Sequence, residues 1–147
     1  SKIDTYDGEV EEAFPPMSVT VLLEDDLDLS RGDMIVRVNN QPEVTQDLDL
    51  MVCWFYEQPM LHRGKYQLLH TTNEARCIIK DIQYKLNINT LHRDLDDKVI
   101  GMNDIARIKI RTTKPMFIDS YNKNRITGSV ILIDEMTNNT VGAGMII

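Results

Sequence analysis

The chain has 147 residues, 42% hydrophobic and 27% charged, the balance of an ordered, soluble globular protein. Its net charge of −7 is confined to one region: residues 1–40 hold ten acids and three bases, while residues 41–147 hold thirteen of each. That excess argues against nucleic-acid binding by the first region, and no apolar run approaches the roughly 20 residues that cross a membrane as a helix.

In chain order, Lys2-Ile-Asp-Thr-Tyr6 is a predicted strand, closed by the turn dipeptide Asp7-Gly8. An acidic stretch and Pro15-Pro16 follow. Residues 17–24 then place Val19, Val21 and Leu23 on one face of a second strand. Arg31-Gly-Asp33 turns the chain into a further predicted strand over residues 34–38. A cell-adhesion reading of that tripeptide has nothing extracellular to support it, and the same holds for the glycosylation pattern Asn138-Asn-Thr140. The charge shift and the polar Asn39-Asn-Gln-Pro42 place a domain boundary there, giving regions 1–40 and 41–147.

The second region reads as strands at short spacing: residues 47–56, 66–70, 75–87, 105–112, a start of the closing section at 116–118, and a hairpin through 130–133 and 141–146. Along 105–112, Ile108 and Ile110 point one way and Arg107, Lys109 and Arg111 the other. Residues 130–133 are continuously apolar, the pattern of a strand buried on both faces. Met136-Thr-Asn-Asn-Thr140 supplies residues that tolerate positive φ. Gly142 and Gly144 share a strand face, which implies close approach of neighbouring groups. Residues 88–102 are irregular, with a helical turn expected around 94–97. With no amphipathic helix in sight, the fold class is all-β, a barrel or sandwich.

Chemistry-bearing candidates are few. Cys53 and Cys77 sit in apolar segments and are expected to be reduced core thiols. His62, His70 and His92 lack metal-ligand spacing, and His70 is expected to be structural. Asp94, Asp96 and Asp97 lack the glycine and terminal Glu of a calcium loop. No Gly-x-x-x-x-Gly-Lys-Ser/Thr phosphate loop is present, and Asn122-Lys-Asn-Arg125 lacks the Asp of a guanine-reading motif. Trp54 is expected in the core. Arg107, Lys109 and Arg111 form a basic stripe that is either an interaction face for an acidic partner or a solvated strand face.

Several segments resemble one family. Asn124-Arg-x-Thr-Gly128, the following apolar strand and Thr140-Val-Gly-Ala-Gly144 are similar to the end of the third domain of translation-factor-like GTPases such as elongation factor Tu. Leu23-Glu-Asp-Asp-Leu-Asp-Leu-Ser-Arg-Gly-Asp33, Lys65-Tyr-x-Leu-x-His-x-Thr72 and Ile88-Asn-Thr-Leu-His-Arg93 sharpen the match to the large, GTP-binding subunit of bacterial sulfate adenylyltransferase, including forms fused to an adenylyl-sulfate kinase.

The resemblance implies an antiparallel domain 3 β-barrel over 41–147, preceded by the last strands of a domain 2 barrel over 1–40. It implies a parent enzyme that makes adenylyl sulfate and pyrophosphate from ATP and sulfate, driven by GTP hydrolysis. GTP and Mg would belong to an N-terminal domain that this chain lacks, leaving a fragment with no catalytic, cofactor or metal residues. The implied partners are the small catalytic subunit and the parent's own GTPase domain, with no nucleic acid and no membrane. The absence of a basic-then-apolar leader and the family together imply a cytoplasmic location. Open strand edges around residues 17–23 predict self-association. The competing reading is the tRNA-binding barrel of an elongation-factor-like GTPase.

Overall fold

The computed structural model describes residues 2–147. Among them there are ten strands and no helix. The contacts divide the chain after Ser30, so residues 31–40, expected to belong with the first region, group with the second.

The first unit is a small antiparallel sheet of β1 (Lys2–Thr5), β2 (Gly8–Val10) and β3 (Thr20–Leu22), in the order β2-β1-β3. Ile3 is the register point, opposite Val10 on one side and Val21 on the other. The strand expected over 17–24 is only three residues long, and Val21 and Leu23 are exposed.

The second unit contains β4 (Glu43–Trp54), β5 (Lys65–His70), β6 (Asn73–Leu86), the two-residue β7 (Arg93–Asp94), β8 (Ile105–Ile118), β9 (Ser129–Ile133) and β10 (Thr140–Ile146). The order β5-β9-β10-β4-β8-β6 closes because β6 pairs back with β5, making a six-stranded antiparallel barrel with β7 appended to β6. Alternation does the folding: Leu48, Leu50, Val52 and Trp54 of β4 point in, and Asp47, Asp49, Met51 and Cys53 point out. Ile108 and Ile110 of β8 meet Leu50 and Leu48 across the ladder, and all four are buried.

Four expectations change. Residues 34–38 form no strand, although they are rich in β-branched residues. A strand needs an edge to pair with, and a closed barrel offers none beside them. The apolar run 130–133 is buried on one face only: Val130 and Leu132 point in while Ile131 is exposed, because the outer face of a barrel strand meets solvent. Residues 94–97 form no helical turn; the Asp94 carboxylate accepts from the N–H groups of Asp96 and Asp97, both at 3.0 Å, and closes an Asx turn instead. The strand at 105–112 and the section from 116 are one continuous strand, bent by a register shift against β4 between Thr45 and Asp47.

The closing glycines behave as their spacing suggests. A Cβ on Gly142 would lie 3.1 Å from the Cys53 carbonyl oxygen and 3.2 Å from the Trp54 ring, and one on Gly144 would lie 3.1 Å from Val130. The tightest glycine is Gly128, where a Cβ would lie 2.6 Å from both the Asn124 oxygen and the Tyr121 nitrogen. Backbone on two sides cannot yield there. Gly128→Ala is therefore expected to destabilise by about 2–3 kcal/mol in urea titration. Gly101→Ala, whose Cβ would meet only Asp104 Oδ2 at 3.7 Å, should stay within about 0.5 kcal/mol.

Candidate interaction face

The basic stripe sits on the outer face of β8, flanked by β4 and β6. Across the ladders, Arg107 stands opposite Met51 and Tyr84, Lys109 opposite Asp49 and Asp81, and Arg111 opposite Asp47 and Ile78. Antiparallel pairing thus sets carboxylates beside bases at Lys109 and Arg111.

Arg107 reaches diagonally to Asp49 in a two-pronged contact, Nε to Oδ1 at 2.9 Å and Nη2 to Oδ2 at 2.8 Å. Both side chains are partly buried, and these hydrogen bonds raise the guanidinium pKa above its ordinary value. Arg111 donates to Asp47 at 2.7 Å, and Lys80 approaches the same carboxylate at 3.6 Å. Lys109 has no carboxylate within ion-pair range among the described residues. It lines a shallow groove of about 420 Å³ with Asp47, Asp49 and Lys80. The stripe is therefore a lattice of alternating charge. A polyanion would have to displace Asp47 and Asp49 to bind it. The counter-ions were visible in the sequence as Asp47-Leu-Asp-Leu, whose period of two puts both carboxylates outside.

The other candidates stand apart. Trp54 is buried, donates its indole N–H to Gln58 O at 2.8 Å and meets Tyr66 edge-on at 5.5 Å. His70 is fully buried at the end of β5; its Nε2 lies 2.7 Å from Thr127 O and so donates to it, while Nδ1 has no protein partner. His62 and His92 are exposed, and no group of three His, Cys, Asp or Glu side chains comes together to hold a metal among the described residues. Asp97 serves Lys85 instead, at 2.5 Å, and Lys85 also reaches Asp104 at 3.2 Å. Asn124 closes its own turn, accepting from the N–H groups of Ile126 and Thr127. Arg31 and Gly32 pack on the β5–β6 turn: Gly32 has φ +103° and abuts Asn73, and Arg31 donates to Thr72 O at 3.3 Å.

Two further groups are set by their surroundings. Hydrogen bonds from Lys123 Nζ at 2.7 Å and Thr127 Oγ1 at 2.8 Å hold the Asp119 carboxyl below its ordinary range. Burial pushes the Cys77 thiol up to about 12. Both cysteines are free, Cys53 being partly exposed. No helix among the described residues is long and apolar enough to cross a membrane.

Comparison with known proteins places this architecture. Residues 47–147 match the model of the GTP-eEF1A C-terminal domain-like family. Over 99% of its length the chain is 48% identical to the bifunctional enzyme CysN/CysC of Mycobacterium tuberculosis, spanning 24% of that protein. It is 44% identical to sulfate adenylyltransferase subunit 1 of Bacteroides fragilis, again over 99% of the chain and 30% of the relative. The chain thus spans less than a third of the length of these curated relatives. The crystal structure of sup35 complexed with GDP superposes with a TM-score of 0.83 at 16% identity, covering all of this chain and 36% of that one, a likeness of fold.

Asp119 gives a pH prediction. Its folded pKa is depressed, so its contribution is present above the unfolded value of about 3.9 and is lost as pH falls through the lower folded value. Asp119→Asn should lower stability by a constant margin between about pH 7 and 5, and the margin should narrow below about pH 4, as followed by urea midpoints. A margin unchanged down to the acid limit would contradict it. The cysteines give another. A thiol with so high a pKa is thiolate at a level on the order of 10⁻⁴ at pH 8. Thiol titration of the folded chain should count at most one reactive group, Cys53, and two after denaturation.

Proposed function

The chain belongs to the GTP-eEF1A C-terminal domain-like family, and from that premise we propose that it is a barrel region of the large subunit of a GTP-dependent sulfate adenylyltransferase. The observation that carries this reading is identity of 48% and 44%, end to end along the chain, with relatives named for that enzyme. The parent would make adenylyl sulfate and pyrophosphate from ATP and sulfate in the cytoplasm. GTP and Mg would be held by a nucleotide-binding domain outside these residues. The barrel's part is positional: it holds that domain and the small catalytic subunit in an arrangement that follows the bound nucleotide, a coupling between separate sites.

Charge supports this over a tRNA-binding barrel. Residues 41–147 carry thirteen acids and thirteen bases, and the outward arginines of β8 are already paired with Asp47 and Asp49. Affinity for tRNA rests on uncommitted Lys and Arg releasing counter-ions from phosphates.

Deleting residues 45–147 from the full-length subunit should abolish binding to the small subunit in pull-down and remove GTP stimulation of adenylyl sulfate synthesis. Retention of both would overturn the reading, and low-salt binding of aminoacyl-tRNA by the intact subunit would favour the competing one.

A further inference from the structure

The two ends of the barrel both expose apolar side chains but differ in charge. At one end lie the segment 31–42, the two-residue turn after β5 and the loop 119–128. At the other lie three loops: 55–64, 87–104 and 134–139. The first two of these three are joined. Met60 N–H donates to Ile100 O at 2.8 Å, Asn103 N–H to Trp54 O at 2.8 Å, and Trp54 N–H to Asp104 O at 3.0 Å.

The 87–104 lobe is also clamped to the barrel wall. Lys85 holds Asp97 and Asp104, Lys98 Nζ donates to Gln83 O at 2.7 Å, and the Arg93 guanidinium stacks over Tyr84 at 4.9 Å. Asn87 Oδ1 accepts from the N–H groups of Asn89 and Thr90 and fixes the lobe's first turn. Ile100 shows that the lobe can bury an apolar side chain, since it is wholly covered. Yet Phe55, Leu61, Leu91, Leu95, Val99 and Met102 all stay exposed, from 44% at Phe55 to 72% at Leu91. An ordered loop that holds its apolar side chains outward has the character of a contact surface.

Charge narrows the partner. The three loops at this end carry seven acids and three bases. Two of the bases, Arg93 and Lys98, are turned onto the barrel as described. The third, Arg63, is exposed, and Asp97, Asp104 and Glu135 are paired with Lys85 and Arg76, so the exposed apolar side chains are accompanied by the acids Glu57, Asp94 and Asp96 against Arg63. We propose that this end of the barrel, centred on the 87–104 lobe, is a docking surface for a protein whose contact face is apolar and rimmed with Lys and Arg. Resting on the reading above, that protein is the small subunit of the same enzyme.

The test uses the full-length large subunit and its purified small subunit, with affinity measured by titration calorimetry and rates by surface-based kinetics. Leu91→Asp/Leu95→Asp should weaken Kd by about tenfold or more, as loss of apolar anchors does. Glu57→Lys/Asp96→Lys should slow association severalfold and flatten its salt dependence, since rim charges act chiefly on the encounter rate. Ile126→Asp, at the opposite end of the barrel, should bind within about twofold of the parent. All the altered side chains are exposed, and matching thermal melts would show that the variants fold. If the parent binds and both lobe variants bind as tightly, the docking site is overturned while the proposed function stands. If the lobe variants instead lose only GTP affinity, or only self-association in sedimentation, the surface belongs to the nucleotide domain or to a second copy and the proposal falls. If the parent does not bind the small subunit at all, the proposed function fails and takes this proposal with it.

Discussion

Closure of the barrel runs through its narrowest seam. β5 pairs with β6 along its whole length, from Lys65 opposite Ile78 to His70 opposite Asn73, but with β9 at only three positions, Gln67 to Leu69. Without that short pairing the sheet would be open, with unpaired edges at β5 and β9. The seam is reinforced where the ladder stops. His70, buried at the end of β5, donates to the Thr127 carbonyl just before β9, and the Thr127 hydroxyl donates to Asp119. Asp119 also accepts from Lys123, and Tyr121 N–H donates to Ile146 O. A histidine that is a poor candidate for metal or catalysis from its sequence surroundings thus has a positive role: it lengthens a three-residue contact.

Closure has a consequence for the outer face. Six strands with filled interiors point every second residue outward, so charge must be distributed by register. β8 lies between β4 and β6, and its outward bases fall next to the outward acids Asp47, Asp49 and Asp81. A shift of one residue in the β4–β8 pairing would turn those carboxylates into the core. The same register that buries Leu48 and Leu50 therefore neutralises Arg107 and Arg111. Surface ion pairs of this kind are each worth little, roughly 0–1 kcal/mol, and their larger effect is on what the face can bind.

Most of the barrel was legible because its strands obey one rule, alternation, strongly and for long stretches. Leu48, Leu50, Val52 and Trp54, or Ile108 and Ile110, announce their faces directly. The paired glycines at 142 and 144 announced a close approach that the Cys53 carbonyl, the Trp54 ring and Val130 supply. What misled was composition without pairing information. Residues 34–38 and 130–133 are both rich in apolar, β-branched residues, yet the first finds no partner edge and the second has only one covered face. Asp94-Leu-Asp-Asp97 has helix-compatible spacing, but a side-chain oxygen captured the backbone N–H groups first. The division after Ser30 was hidden because charge changes near residue 40, whereas contact is decided by Gly32 and Arg31 packing on the β5–β6 turn.

The lobe at 87–104 is where local and global demands separate. Ordering eighteen residues outside the barrel costs conformational entropy, and a connection between β6 and β8 could be far shorter, as the two-residue turn between β5 and β6 shows. The chain spends two lysines and an arginine fastening this loop down and leaves its leucines in solvent. Stability of the barrel explains the fastening of Ile100, which fills the core. It does not explain the outward face, because replacing exposed apolar residues with polar ones would cost the fold nothing. On the docking proposal, a surface that folding does not require, fastened by contacts that folding does supply, would lose little further ordering entropy when a partner arrives.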